Sequence, residues 1–186
     1  MVPVFNIGLC RTGTTSFTKA TNMLGYRIHF NNAGLIRQIA RGSFNFGFWN
    51  LVEHDSFSDE PFSSFFQTFY LLYPYAKFVM TTRELSTWKE SMRLMFVEKL
   101  KFWDEDIKEY QRKIWNVDDK AWLGKIDESF LEEWYNRHHT NVLSTIPKEK
   151  LLILPLEADN KWERLCGFLG EEIPSEDYPY LNKGER

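Results

Sequence analysis

The sequence is poor in cysteine, in long apolar runs and in excess charge of either sign, and each shortage excludes a class of protein. Its two cysteines, Cys10 and Cys166, stand far apart with no His/Cys cluster beside either. Neither a zinc-ligand spacing nor a disulfide framework is present, so a reduced, cytoplasmic setting without a metal site is expected. No run approaches the roughly 18 apolar residues of a membrane-spanning helix. The N-terminus has no basic segment before its apolar run, which reads as a first strand and not as a secretory leader. A formal net charge of −3 supplies no basic field for a nucleic-acid partner, so any anion site must be local. Low-complexity tracts and internal repeats are missing too.

What is present is apolar and aromatic. Over 186 residues, 43% are hydrophobic and 17% aromatic, enough for a sizeable core and too much for disorder. One domain over residues 1–186 is expected. Residues 2–8 read as a buried strand. Thr14 to Leu24 reads as a helix with Phe17, Ala20 and Leu24 on one face and Gly25 as its stop. Tyr26 to Phe30 is a second strand, and Asn31-Asn32 caps a helix to about Arg41. This strand–helix–strand pass is the unit of a parallel sheet.

Residues 42–62 read as irregular. Ser63 to Leu72 is expected to be helical, and Ala76 to Thr82 is the best central strand in the chain. A helix follows from about Ser86 to Leu100, and two amphipathic helices fill 104–146. Leu151 to Leu154 is another buried strand. Asp159 or Asn160 then starts a helix that turns Trp162, Leu165, Cys166 and Leu169 inward and stops at Gly170. The expected class is α/β, three-layered, with a central parallel sheet.

The stretch that organises this pattern is Gly8-Leu9-Cys10-Arg11-Thr12-Gly13-Thr14-Thr15-Ser16. A glycine-bearing loop between a strand and a helix turns backbone N–H groups toward an anion at the helix N-terminus. It nearly fits the triphosphate loop G-x-x-x-x-G-K-[ST], but Thr14 stands where the lysine belongs, and Arg11 is the cation nearby. A second motif follows the strand at 76–82. Arg83 stands at its carboxyl end and Ser91 lies near the second turn of the next helix. Ligands of open parallel sheets sit outside the carboxyl ends of strands, so Arg83 is expected to face the same edge as the loop. Its guanidinium can fork onto a phosphate, and Ser91 can add a hydroxyl.

Together these motifs resemble sulfotransferases that use 3′-phosphoadenosine-5′-phosphosulfate. The loop from Gly8 to Ser16 looks like that family's 5′-phosphosulfate loop in its Arg-bearing form, and Arg83 with Ser91 matches the Arg and Ser of its 3′-phosphate motif. The likeness to the small bacterial-type branch continues through Tyr73-Pro74-Tyr75-Ala76-Lys77-Phe78-Val79, Ile146-Pro147-Lys148-Glu149-Lys150-Leu151-Leu152 and Trp162-Glu163-Arg164-Leu165-Cys166-Gly167-Phe168-Leu169-Gly170. Glu84-Leu85 departs from the Asp-Pro or Asn-Pro that often follows the motif Arg, and the chain is short for the family.

The resemblance implies a P-loop-like fold and the phosphosulfate as donor, held by Arg11, Thr12, Gly13, Thr14, Thr15, Ser16, Arg83 and Ser91. Lys183, in Lys183-Gly184, resembles a further 3′-phosphate contact. Arg11 can stabilise the leaving phosphate electrostatically, and the strand at 76–82 ends in Thr81-Thr82-Arg83 where P-loop kinases carry a metal-holding Asp. A sulfuryl group carries less charge than a γ-phosphoryl, so no metal is required to neutralise it.

The acceptor needs a base, and His54, Asp55, Asp59 and Glu60 are the candidates. The resemblance favours Asp59, two residues before Pro61, with Glu60 next. The implied acceptor is a small molecule or glycan, and part of the Phe-rich stretch from Phe44 to Phe69 can line an apolar pocket for it. The adjacent His138 and His139 point about 100° apart on a helix and read as surface or packing residues. A P-loop kinase and a non-catalytic binder of adenosine 3′,5′-bisphosphate are the rival readings.

Overall fold

A computed structural model describes residues 1–30, 33–43, 53–99, 103–116 and 127–181. Five parallel strands form one sheet: β1 (Val4–Asn6), β2 (Ile28–Phe30), β3 (Ser56–Ser58), β4 (Lys77–Thr82) and β5 (Leu151–Pro155). Their order is β2-β3-β1-β4-β5. The helices are α1 (Thr14–Met23), α2 (Ala33–Ala40), α3 (Phe66–Leu72), α4 (Leu85–Lys99), α5 (Glu105–Trp115), α6 (Glu128–Thr145) and α7 (Lys161–Leu169).

The middle of the sheet is covered on both faces, which is why β1 and β4 lie in apolar runs of the sequence. Phe5, Ile7, Phe57, Phe78 and Met80 pack with Phe66 and Phe69 of α3 and Val142 of α6 on one face. Val4, Val79 and Leu154 pack with Phe17 and Ala20 of α1 and Leu165 of α7 on the other. Phe5 is the centre of the first layer, its ring stacked on Phe57, Phe69 and Phe78 at 4.7, 5.2 and 5.6 Å between centroids. Such pairs add roughly 0.5–1.5 kcal/mol each beyond the area they bury.

The structure departs from the sequence reading in three places. Residues 42–62 contain β3, which inserts between β2 and β1. Ser56 and Ser58 hide it, because both are buried and gave no apolar signal. Their hydroxyls are satisfied instead by Thr21 at 2.9 Å and Asn6 at 3.1 Å. The helix expected from Ser63 begins at Phe66, after a turn. The strand at 151–155 is only partly buried because it lies at the edge of the sheet. Asn31, Asn32, the Phe44–Trp49 stretch, Lys183, Gly184 and Arg186 lie outside the described residues.

Strand order places the site. The chain leaves β1 toward β2 and leaves β4 toward β5, in opposite directions, so a crevice opens outside the carboxyl ends of these two neighbours.

Candidate active site

The loop after β1 is held from below by buried polar groups. Asn6 is fully buried; its Oδ1 accepts from the Gly8 N–H at 3.0 Å and from the Thr81 hydroxyl at 3.1 Å. The Thr12 hydroxyl lies 2.6 Å from the Leu9 carbonyl and 2.8 Å from Thr81 Oγ1. Gly8 is needed for contact with β4: a Cβ there would stand 2.2 Å from Thr81 Oγ1 and 2.3 Å from the Thr81 carbonyl. Gly13 is the N-cap of α1 at φ 101 and brings no side chain to the first-turn N–H groups. That leaves the helix N-terminus open to an anion.

One face of α4 holds the loop from outside. Trp88 Nε1 donates to the Cys10 carbonyl at 2.9 Å, and Cys10 Sγ lies 3.5 Å from Met92 Sδ. From the same face Ser91 accepts from Arg11 Nε at 2.9 Å. Positions 88, 91 and 92 share that face because three or four residues make one helical turn. Arg11 itself has φ 68, a left-handed backbone uncommon for a side chain of its size.

Arg83 follows β4, as the sequence reading has it, and its Nε donates to Thr87 Oγ1 at 3.3 Å. Tyr135 donates to the Arg83 carbonyl at 2.7 Å and fixes the backbone there. Among the described residues Arg27, Arg37, Arg41, Arg93, Arg112 and Arg137 each face a carboxylate. Arg11 and Arg83 face hydroxyls instead, on the edge where the loop lies.

The expected loop hydroxyls do different things. Thr12 is buried in the network with Thr81. Ser16 accepts from the Leu181 N–H at 3.0 Å, tying the C-terminal segment to the first turn of α1. Thr14 makes no side-chain hydrogen bond among the described residues, and Thr15 is half-buried.

The four base candidates divide by position. His54 and Asp55 precede β3, at the sheet edge away from the loop. Asp55 is held by Arg27 at 2.7 Å, and that bond lowers its pKa to about 2, too acidic for a base. Asp59 and Glu60 follow β3 on the loop side. Glu60 is buried, and its carboxylate accepts from Ser63 and Ser64 at 2.8 Å each and from Tyr110 at 2.6 Å. Burial raises its pKa against those three donors. Asp59 is half-buried at φ 70, a second left-handed side-chain-bearing residue on this edge. Burial, reinforced by the charges of Asp59 and Glu60, pushes the Cys10 thiol well up, so Cys10 is no thiolate nucleophile.

Beside the loop lies a cavity of about 540 Å³, lined in part by Phe65 and Phe66 of the Phe-rich stretch. Leu9 of the loop, Ser64 next to the Glu60 cluster and His138 of α6 all line it. His138 is buried, and its Nε2 lies 2.7 Å from the Ile7 carbonyl at the end of β1. Nothing in the spacing of His138 and His139 signals this contact, which spans 131 positions. Among the described residues no three His, Cys, Asp or Glu side chains gather as a metal site, and no helix is long and apolar enough to cross a membrane.

Comparison with known proteins agrees with this architecture. A bacterial sulfotransferase from Alicyclobacillus acidocaldarius, known from a crystal structure, superposes with a TM-score of 0.60. That superposition covers 100% of this chain and 87% of the other at 14% identity, a likeness of fold. Ava biosynthesis cluster protein M of Aspergillus versicolor is 27% identical over 216 residues, covering 96% of this chain and 80% of its own. The family described as "Sulfotransferase domain" matches residues 3–186, from the first strand through the loop, Arg83 and Ser91 to the last residue. By that match over nearly its whole length, the chain belongs to the sulfotransferase domain family.

Proposed function

We propose that the chain, acting as one domain over residues 1–186, transfers a sulfuryl group from 3′-phosphoadenosine-5′-phosphosulfate to an acceptor hydroxyl or amine. The observation that carries this reading is the pair Arg11 and Arg83. Both guanidiniums rest on hydroxyl side chains at the carboxyl edge of the sheet, with no carboxylate partner among the described residues. A donor with an anionic group at each end fits two such cations and the uncapped first turn of α1.

Roles follow from position. Arg11, the N–H groups of 13–16 and the Thr14 and Thr15 hydroxyls face the phosphosulfate end. Arg83 and Ser91 face the 3′-phosphate. Thr12 and Ser16 serve the loop by shaping it, since their oxygens are engaged within the protein. Asp59 takes the acceptor's proton as the new S–O bond forms and the bond to the 5′-phosphate breaks. Glu60, whose oxygens already accept hydrogen bonds from three hydroxyls, is the poorer base. Arg11 balances the charge that develops on the departing phosphate oxygen, and such preorganised donors are worth on the order of 10²–10³ in rate. Lys183 is retained as a further 3′-phosphate contact.

Incubation with ³⁵S-labelled donor and an acceptor panel tests the reading. Acceptor-dependent label transfer with release of adenosine 3′,5′-bisphosphate is expected, and Asp59→Asn should lose it while still binding the bisphosphate. Transfer of a phosphoryl group from ATP, with none from the sulfuryl donor, would overturn the proposal.

A further inference from the structure

We propose that Trp88 and Tyr135 are positioning residues: together they brace the backbone beside Arg11 and Arg83 and set the spacing of those two cations. That spacing selects a nucleotide phosphorylated at its 3′ position over one phosphorylated at its 2′ position. The inference rests on the reading in which the two arginines hold the two ends of the donor.

Each arginine has one flanking peptide group pinned by an aromatic side chain. The Trp88 indole N–H donates to the Cys10 carbonyl at 2.9 Å, in the peptide group that carries the Arg11 nitrogen. The Tyr135 hydroxyl donates to the carbonyl of Arg83 itself at 2.7 Å. The two rings pack together, with centroids 5.0 Å apart and planes at 52°. A continuous line of contacts therefore runs from the loop after β1 to the residue after β4.

The brace is stiff. Trp88 is fully buried, Trp134 backs it at 5.5 Å between centroids, and Trp115 backs Trp134 at 5.2 Å. His139 stacks on Tyr135 at 3.9 Å, and its Nδ1 donates to the Tyr135 carbonyl at 2.8 Å, since a carbonyl can only accept. Lys89 and Arg93 of α4 pair with Glu132 and Glu128 of α6 at 3.3 and 3.1 Å, joining the two helices that carry the rings. Burial, with the charges of Glu157 and Glu84, raises the Tyr135 pKa, so the phenol keeps the proton it donates.

The guanidiniums are oriented from the same side. Arg11 leans on Ser91 and Arg83 on Thr87, both on α4 with Trp88. Moving a phosphate from the 3′ to the 2′ carbon shifts it by one ring position. A loose pair of cations follows that shift, whereas a braced pair cannot, and the misfit becomes selectivity.

Calorimetry on the whole chain with adenosine 3′,5′-bisphosphate, its 2′,5′ isomer and adenosine 5′-monophosphate tests this. The unmodified protein should bind the 3′,5′ compound most tightly. Tyr135→Phe keeps the ring and removes the bond to Arg83. It should lower the ratio of 3′,5′ to 2′,5′ affinity about fivefold and leave 5′-monophosphate affinity unchanged. An unchanged ratio would overturn the brace, and so would an equal loss for all three ligands, the mark of a merely structural role. If that variant does not fold, hydrogen exchange of the Trp88 indole N–H in the unmodified protein gives the answer. The 3′,5′-bisphosphate, loading both arginines, should slow that exchange more than the 5′-monophosphate does, and equal rates would overturn the brace. In the unmodified protein, no preference for the 3′,5′-bisphosphate over the 5′-monophosphate would overturn the donor reading and the brace with it. That preference, without any over the 2′,5′ isomer, would overturn the brace alone.

Discussion

Arg11 Nε donates to Ser91 Oγ across 2.9 Å, so the two residues that the sequence assigns to opposite ends of the donor touch each other in the folded protein. Ser91 is therefore placed to orient Arg11 as well as to contact a phosphate. Arg11→Ala is expected to lower kcat on the order of 10²–10³, the cost of one lost transition-state donor. Ser91→Ala should lower kcat about tenfold through the misplaced guanidinium. Steady-state kinetics with varied donor separates the roles: a raised KM at constant kcat would mean that Ser91 serves binding alone.

Glu60 and Tyr110 tie the turn after β3 to α5 through a buried hydroxyl–carboxylate bond of 2.6 Å. Tyr110→Phe removes one of three donors from a buried carboxylate and should cost about 1–3 kcal/mol in urea unfolding. Activity of the folded variant should persist. Preserved stability with collapsed kcat would instead make Glu60 the base.

His138 is held to about pKa 4 by burial, with the charge of neighbouring His139 also lowering it. The unfolded chain protonates this position below about pH 6.5. A depressed folded pKa thus gives stability that is present above that value and lost as pH falls toward 4. The difference in unfolding free energy between the natural protein and His138→Phe should shrink by up to roughly 3 kcal/mol from pH 7 to pH 4. Parallel pH curves for the two proteins would contradict this.

Gly8 stands where a Cβ would meet the Thr81 backbone as well as its hydroxyl. Neither can give way without parting β1 from β4, so Gly8→Ala should destabilise by about 1–3 kcal/mol or more. Gly42→Ala, with open space around it but φ 78, should cost less. Equal melting temperatures for the two variants would mean that the strands can separate without penalty.

The local parts of this molecule were readable in the sequence because each is written in consecutive residues. The strand–loop–helix from Val4 to Met23, the central strand before Arg83 and the inward face of α7 each carry their own periodicity or motif. What escaped is held by pairs distant in sequence. β3 carries two serines around Phe57, and their burial depends on Thr21 and Asn6, supplied by other elements. The Glu60–Tyr110 bond, the His138 contact with Ile7 and the cavity exist only once four helices have packed around the loop. Motif spacing put Arg83 at the carboxyl end of β4, where it lies; it could not show that Ser16 faces Leu181.

The most direct measurement is calorimetric titration of adenosine 3′,5′-bisphosphate and of its analogue without the 3′-phosphate, against the natural protein and Arg83→Ala. The bisphosphate should bind the natural protein much more tightly than the analogue, and Arg83→Ala should remove most of that difference while leaving the analogue's affinity nearly unchanged. Equal affinity for both nucleotides in the natural protein, or an equal loss for both on substitution, would contradict a 3′-phosphate site at Arg83 and the donor assignment built on it.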